Sequence, residues 1–186
     1  MKKKEEKDIH KWSKKYILKS VWEYISLCNP FEYFRGLKEK GFSLSLMVLC
    51  GVSFILPYCS AVVFLGRFLV QRTLRTFLEG LGQVLVEVVC RVIKIVHYEP
   101  RPAGAQRRDS GFPSSHTAWM AYAAATLSKS GPHRLLKTLT LMPLAFVTGA
   151  GRVVSQEHTV RQVIAGGVVG LALAALDSRL APAQTP

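Results

Sequence analysis

Acidic residues are scarce in this chain. Only 12 Asp and Glu stand against 25 Lys and Arg among 186 residues, a formal net charge of +13. The acids form no cluster that suggests a metal. The four cysteines, Cys28, Cys50, Cys59 and Cys90, include no CxxC pair. Neither a metal site nor a disulfide framework is expected, and the cysteines read as reduced packing residues. The N-terminus lacks the apolar core and small-residue cleavage site of a secretory signal, so insertion would use the first membrane helix itself. Long charge-free apolar stretches are also few. Only residues 43–66 run uncharged from Ser43 to Gly66, enough for a helix to cross the ~30 Å hydrocarbon core.

What is present points to a membrane. Hydrophobic residues make up 49% of the chain and are bunched into runs. In a soluble protein the positive charge would suggest nucleic acid. Here eleven of the basic residues lie between Lys2 and Lys40. Attraction to anionic headgroups is therefore the reading, with no nucleic-acid partner. Residues 1–15 are a solvated charge run. Residues 16–35 place Tyr16, Trp22, Tyr24, Phe31, Tyr33 and Phe34 beside Lys19, Glu23, Glu32 and Arg35, with Asn29-Pro30 as a break. Interfacial aromatics beside basic residues fit a segment lying on the membrane surface. A membrane-complex partner bound through residues 1–42 is the alternative.

The expected fold is all-α, an integral membrane bundle of about five transmembrane helices behind a basic N-terminal tail. The tail covers 1–42, the membrane domain 43–177, and a disordered C-terminal tail 178–186. The five spans are 43–66, 68–93, 117–128, 138–150 and 159–176. In the second, Glu79, Glu87 and Lys94 fall at spacings of eight and seven, predicting a polar stripe that lines a cavity ending at Lys94. In the last, the GGVVG string offers a close-packing surface.

Two polar stretches carry the chemistry. The first, KIVHYEPRPAGAQRRDSGFPSSH (94–116), joins Lys94, Arg101 and a Ser-rich turn that enters a helix and exposes backbone N–H groups. Cations and N–H donors together make an anion site, and phosphate is the anion they suit. The second, GRVVSQEHTVRQ (151–162), adds Arg152 and His158. With five spans both stretches emerge on the same membrane face.

These residues resemble the three-part signature of the type 2 phosphatidic acid phosphatase superfamily, the integral-membrane lipid phosphatases. Lys94 with Arg101-Pro102 matches the first part and Pro113-Ser114-Ser115-His116 the second. Gly151-Arg152, His158 and Gln162 match the third. Within the superfamily the chain is similar to the dolichyldiphosphatases, through "EPRP", Ser115 in place of Gly, Gln162 in place of Asp, and "HTxxQV" before a Gly-Gly helix. The resemblance covers residues 80–176.

The resemblance implies a division of labour. His158 is the nucleophile that forms a phosphohistidine, and His116 is the general acid. Lys94, Arg101, Arg152, Ser114 and Ser115 bind the phosphoryl group, and Gln162 accepts from the His158 ring. No metal and no cofactor take part. Gly151 departs from Ser and loses a hydroxyl. Glu99 and Glu157 lie outside the signature and read as loop residues, and Arg107 with Arg108 reads as a solvated pair. The implied reaction is hydrolysis of a polyprenyl (dolichyl) diphosphate to the monophosphate. The alternatives are a phosphatase of another lipid phosphate and an inactive member serving as an accessory membrane subunit. The implied compartment is the endoplasmic reticulum, with another organelle or a bacterial inner membrane as alternatives. On orientation two indications oppose. The positive-inside rule puts the active face in the cytosol, and the resemblance puts it in the lumen.

Overall fold

The computed structural model describes residues 29–130 and 132–180. Among them lie six α-helices and no strand: α1 (Pro30–Glu39), α2 (Leu44–Gln71), α3 (Leu74–Val96), α4 (Ser115–Lys129), α5 (Arg134–Val154) and α6 (Val160–Leu180). The all-helical expectation holds. The charge run 1–15 and the aromatics Tyr16, Trp22 and Tyr24 lie outside the described residues, as does Cys28. So do residues 181–186 of the expected C-terminal tail.

Helix α1 belongs to a unit of its own that ends at Ser43. Asn29-Pro30, expected as a break, starts this helix, and the residues before it lie outside the described ones. The Asn29 side chain accepts from the Phe31 N–H at 3.0 Å, and Pro30 sits at the first helical position, where its missing N–H costs nothing. The end is a Schellman turn. The Gly41 N–H donates to the Lys38 carbonyl and Phe42 N–H to that of Leu37. Gly41 supplies the required positive φ of 72°.

The other five helices form the second unit, from Leu44 onward. Helix α2 has 28 residues, about 42 Å at 1.5 Å per residue. It therefore runs five residues past the expected end at Gly66. Arg72, at φ 49°, makes the turn into α3, and the Thr73 hydroxyl caps α3 by accepting from the Thr76 N–H. Helices α2 and α6 have the length and mean hydropathy to cross a membrane.

The core forms where α4 is surrounded. Ala118, Tyr122, Ala123 and Ala125 of α4 pack with Phe64 of α2, Val86 and Cys90 of α3, and Ala174 of α6. Close approach explains the small residues. A Cβ on Gly166 would lie 2.3 Å from the Ser114 carbonyl oxygen, and one on Gly170 would lie 2.2 Å from that of Ala118. The GGVVG string therefore packs α6 on α4 through backbone. Gly167 takes no part, with nothing within 4 Å of its Cβ position.

The polar stripe expected on α3 needs correction. Its buried face carries Thr76, Glu79, Gln83, Val86 and Cys90. Glu79 is buried near the N-terminal end, where it accepts from Arg67, Arg75 and Ser130. Glu87 lies off that face and binds Arg91 at 2.8 Å. Apolar Val86 and Cys90 separate Glu79 from Lys94, so no continuous polar path joins them. Two boundaries also move. Helix α5 runs through Arg152 to Val154, and α6 runs through Asp177 to Leu180.

Candidate active site

The C-terminal ends of α3 and α5 and the N-terminal ends of α4 and α6 come together at one end of the bundle. The two polar stretches therefore meet, as the sequence pattern requires. Within the first stretch, the Lys94 ammonium donates to the Ser110 carbonyl at 2.8 Å. The Glu99 N–H donates to the Ser110 hydroxyl at 3.2 Å, and Gly111 N–H to the Glu99 carbonyl at 2.7 Å. These bonds fold the stretch back on itself and fix the approach to α4.

The second stretch turns sharply after α5. The carbonyl of Arg152 accepts from both Glu157 N–H and His158 N–H, each at 3.1 Å. Gln156 adopts φ 61° to allow it. Arg152, expected in a loop, instead occupies the last turn of α5 and is buried. Its helical position holds the guanidinium more firmly than a loop would.

Arg101 joins the two stretches. Its Nε–H donates to Asp109 at 2.8 Å, and Nη1–H reaches both the Glu157 carbonyl and His158 Nε2 at 2.9 Å. Burial pushes the Asp109 carboxyl up, but the charge and hydrogen bond of Arg101 overcome this and hold it below its ordinary value. Glu157 is 1% exposed and sits 4.0 Å from Arg101 and 3.9 Å from Arg152. It also accepts from the Gln106 N–H at 3.1 Å. Glu157 lies in the loop between α5 and α6, as expected, but it is also the buried counter-charge between two site arginines. The sequence signal was its place between Arg152 and His158.

The nucleophile candidate is held from both sides. His158 Nδ1 lies 3.0 Å from the Gly111 carbonyl and 3.2 Å from Gln162 Oε1. Both partners are acceptors, so Nδ1 carries the proton and Nε2 keeps the lone pair. That lone pair accepts from Arg101. The amide orientation of Gln162 is itself determined. Its Oε1 accepts from Thr159 N–H at 3.1 Å, while its Nε2 donates to Glu99 Oε1 at 3.0 Å and to the Pro100 carbonyl at 2.9 Å. A flipped amide would set oxygen against oxygen twice. Thr159 and Gln162 also form a capping box that starts α6, since the Gln162 N–H donates to the Thr159 hydroxyl at 3.3 Å. Burial, followed by the charges of Arg101, Arg152 and Lys94, holds the His158 pKa well below its ordinary value. The ring is neutral at pH 7, as a nucleophile must be.

His116 is buried on the first turn of α4. Its ring faces Phe54 and Tyr58 of α2, with centroids at 5.6 and 5.9 Å. Its Nε2 is buried without a hydrogen-bond partner. It lies within electrostatic reach of Arg152, Arg107, Arg101, Lys94 and His158. Ser114 is fully buried at the N-cap of α4. Its hydroxyl accepts from Thr117 at 3.0 Å, and its N–H donates to the Gln162 carbonyl at 3.0 Å. Ser115 begins α4 and is half-buried. The sequence-predicted residues thus share one end of the bundle. Arg107 and Arg108 are not an equivalent solvated pair, since Arg108 is exposed while Arg107 is half-buried and its charge bears on Arg101, Asp109 and His116.

Gly151 also finds its reason here. A Cβ at this position would lie 2.4 Å from the Ser53 side chain of α2. The missing hydroxyl reflects a close crossing of α2 and α5. Three site residues were missed. Glu99 and Glu157 lie outside the signature, and Gly111 gave no signal because its role is a backbone carbonyl.

Comparisons with known proteins bear on the family and the fold. Residues 80–185 match the PAP2 superfamily. Dolichyldiphosphatase 1 of Rhinolophus ferrumequinum is 30% identical over 178 residues, 84% of this chain and 71% of that protein. The first transmembrane PAP2 type phosphatidylglycerolphosphate phosphatase from Bacillus subtilis superposes with TM-score 0.63 at 24% identity, covering 74% of this chain and 77% of its own. Aquifex aeolicus LpxE superposes with TM-score 0.64 at 21% identity, covering 80% and 94%. These two structures share the fold.

Proposed function

Because the chain belongs to the PAP2 superfamily of membrane phosphatases, we propose that it hydrolyses the terminal phosphate of a polyprenyl diphosphate through a phosphohistidine. The observation that carries this reading is the His158 ring. It is neutral, fixed in one tautomer, and aims its Nε2 lone pair at the guanidinium of Arg101.

In the first step a phosphoryl oxygen takes the Arg101 hydrogen bond in place of Nε2. Arg101, Arg152 and Lys94 neutralise the equatorial oxygens, and Ser114, Ser115 and the backbone N–H groups of the turn add donors. In the second step water attacks phosphorus and passes its proton to His116. The P–N bond breaks and inorganic phosphate leaves. No metal or other cofactor enters these steps.

The half-buried Arg107 supports a diphosphate, because it puts a further cation beside the primary phosphate site. The relative named dolichyldiphosphatase 1 supports a polyprenyl chain and the endoplasmic reticulum. Five spans, α2 to α6, would put the site at one membrane face with membrane lipids around it. With Gly151 explained by packing, one motive for an inactive accessory subunit falls away.

The test is phosphate release by the purified protein in detergent from dolichyl diphosphate, phosphatidate and phosphatidylglycerol phosphate, with and without a chelator. We expect the diphosphate to turn over fastest and the chelator to change nothing. His158→Ala should lower turnover by more than a thousandfold, on the order of 4 kcal/mol of barrier, with an unaltered unfolding temperature. A faster monophosphate substrate would reassign the lipid, and an active His158→Ala would refute the mechanism.

A further inference from the structure

Resting on the phosphatase reading above, we propose that Glu99 is a positioning residue that acts on His158 through the amide of Gln162. The superfamily pattern puts a carboxylate at position 162, directly against the histidine. Here an amide stands there, and a carboxylate stands behind the amide. The connection is continuous: His158 Nδ1–H to Gln162 Oε1 at 3.2 Å, then Gln162 Nε2–H to Glu99 Oε1 at 3.0 Å.

The arrangement resolves two conflicting demands on the ring. Before attack, His158 must be neutral, and a carboxylate in direct contact would favour its protonation. After attack, the phosphorylated ring still carries the Nδ1 proton and is cationic, so it gains from negative charge nearby. A carboxylate one amide away serves both demands. It polarises the amide, making Oε1 a stronger acceptor, but it does not touch the ring. The Glu99 side chain is 18% exposed and faces Arg161 at 3.6 Å and His97 at 3.9 Å. The His158 ring faces Arg101, Arg152, Lys94 and His116.

The backbone of Glu99 has a separate duty, pinned to Ser110 and Gly111. Glu99→Gln keeps those bonds and the side-chain volume and removes only the charge. The exchange Glu99→Gln with Gln162→Glu moves the carboxylate directly onto the ring. Both proteins and wild type are assayed with farnesyl diphosphate in detergent micelles across pH, and His158 is titrated in each by ring-nitrogen NMR. Glu99→Gln should lower kcat about tenfold with KM within about twofold. The acid limb of kcat/KM should move to lower pH, because removing negative charge disfavours the imidazolium. The exchange should move that limb above the wild-type position and recover kcat on its alkaline side.

Wild-type kcat and an unmoved acid limb in Glu99→Gln would overturn the proposal. So would a loss of activity that tracks a lowered unfolding temperature and is not recovered by the exchange, since Glu99 would then only hold its loop. If wild type itself releases no phosphate, the phosphatase reading fails separately. The NMR titration still decides: a lower His158 pKa in Glu99→Gln supports the connection, and an unchanged one refutes it.

Discussion

The two ends of the bundle both bury charge, but they hold it differently. Helix α3 spans the distance, with Glu79 and Lys94 about 22 Å apart along its axis. At the Glu79 end every contact is short. The carboxylate accepts from Arg67 at 3.0 Å, Arg75 at 3.1 Å and Ser130 at 2.8 Å. The Tyr122 hydroxyl donates to its backbone carbonyl at 3.0 Å. At the His158 end the Glu157 carboxylate stands 4.0 and 3.9 Å from its arginines, and its Oε2 has no hydrogen-bond partner. Tight pairs consume their charge in holding helices together. The long Glu157 contacts can stretch when a phosphate arrives, while the 2.8 Å bond to Asp109 keeps Arg101 in place. Burial alone therefore does not mark a functional charge.

The comparison breaks most easily at the tight end. Glu79→Leu removes the buried carboxylate that Arg67 and Arg75 both bind. It should cost about 3 kcal/mol, the low end for a broken buried pair because both arginines are a fifth exposed. Thermal unfolding in detergent measures this loss. KM of the folded fraction should be unchanged, and a raised KM would show that the two ends are coupled.

At the loose end a smaller change should act on rate alone. A Cβ at Gly111 would lie 2.5 Å from Gln162 Oε1. Gly111→Ala should push that amide off the His158 ring and lower kcat about tenfold, or ~1.4 kcal/mol. Gly167→Ala, which meets nothing within 4 Å, should match wild type. Equal rates for both variants would show that Gln162 does not orient the nucleophile.

A further effect is on stability against pH. The folded pKa of His158 lies well below its ordinary value, while in the unfolded chain it is about 6.5. Above that pH neither state binds the proton and stability is flat. Below it the unfolded state binds first, so stability falls as pH drops, by up to ~1.4 kcal/mol per pH unit. Unfolding temperatures between pH 7 and pH 5 should therefore decline less steeply in His158→Gln than in wild type. Parallel declines would mean that His158 is protonated in the folded protein.

The motifs were legible because their spacing is fixed by chemistry. Lys94, Arg101, Ser114, His116, Arg152 and His158 all reach one end of the bundle. So does the capping role of Thr159-Val-Arg-Gln162, although the sequence showed only the tautomer half of Gln162's work. What was hidden depended on partners far along the chain. Gly151 is explained only by Ser53, some hundred positions away, and Glu99 only by Gln162. Periodicity placed Glu79, Glu87 and Lys94 on one face, but seven- and eight-residue steps tolerate the angular drift that put Glu87 beside Arg91.

The close approach of Gly166 to the Ser114 carbonyl has a consequence for how this scaffold varies. The turn that holds Ser114 rests on the main chain of α6, with no side chain between them. Spacers made of side chains change thickness whenever a residue drifts, and the two polar loops would shift with them. A spacer made of backbone keeps its thickness. Solved structures at 21 and 24% identity share the fold. A side chain at Gly166 or Gly170 would force that backbone spacer apart.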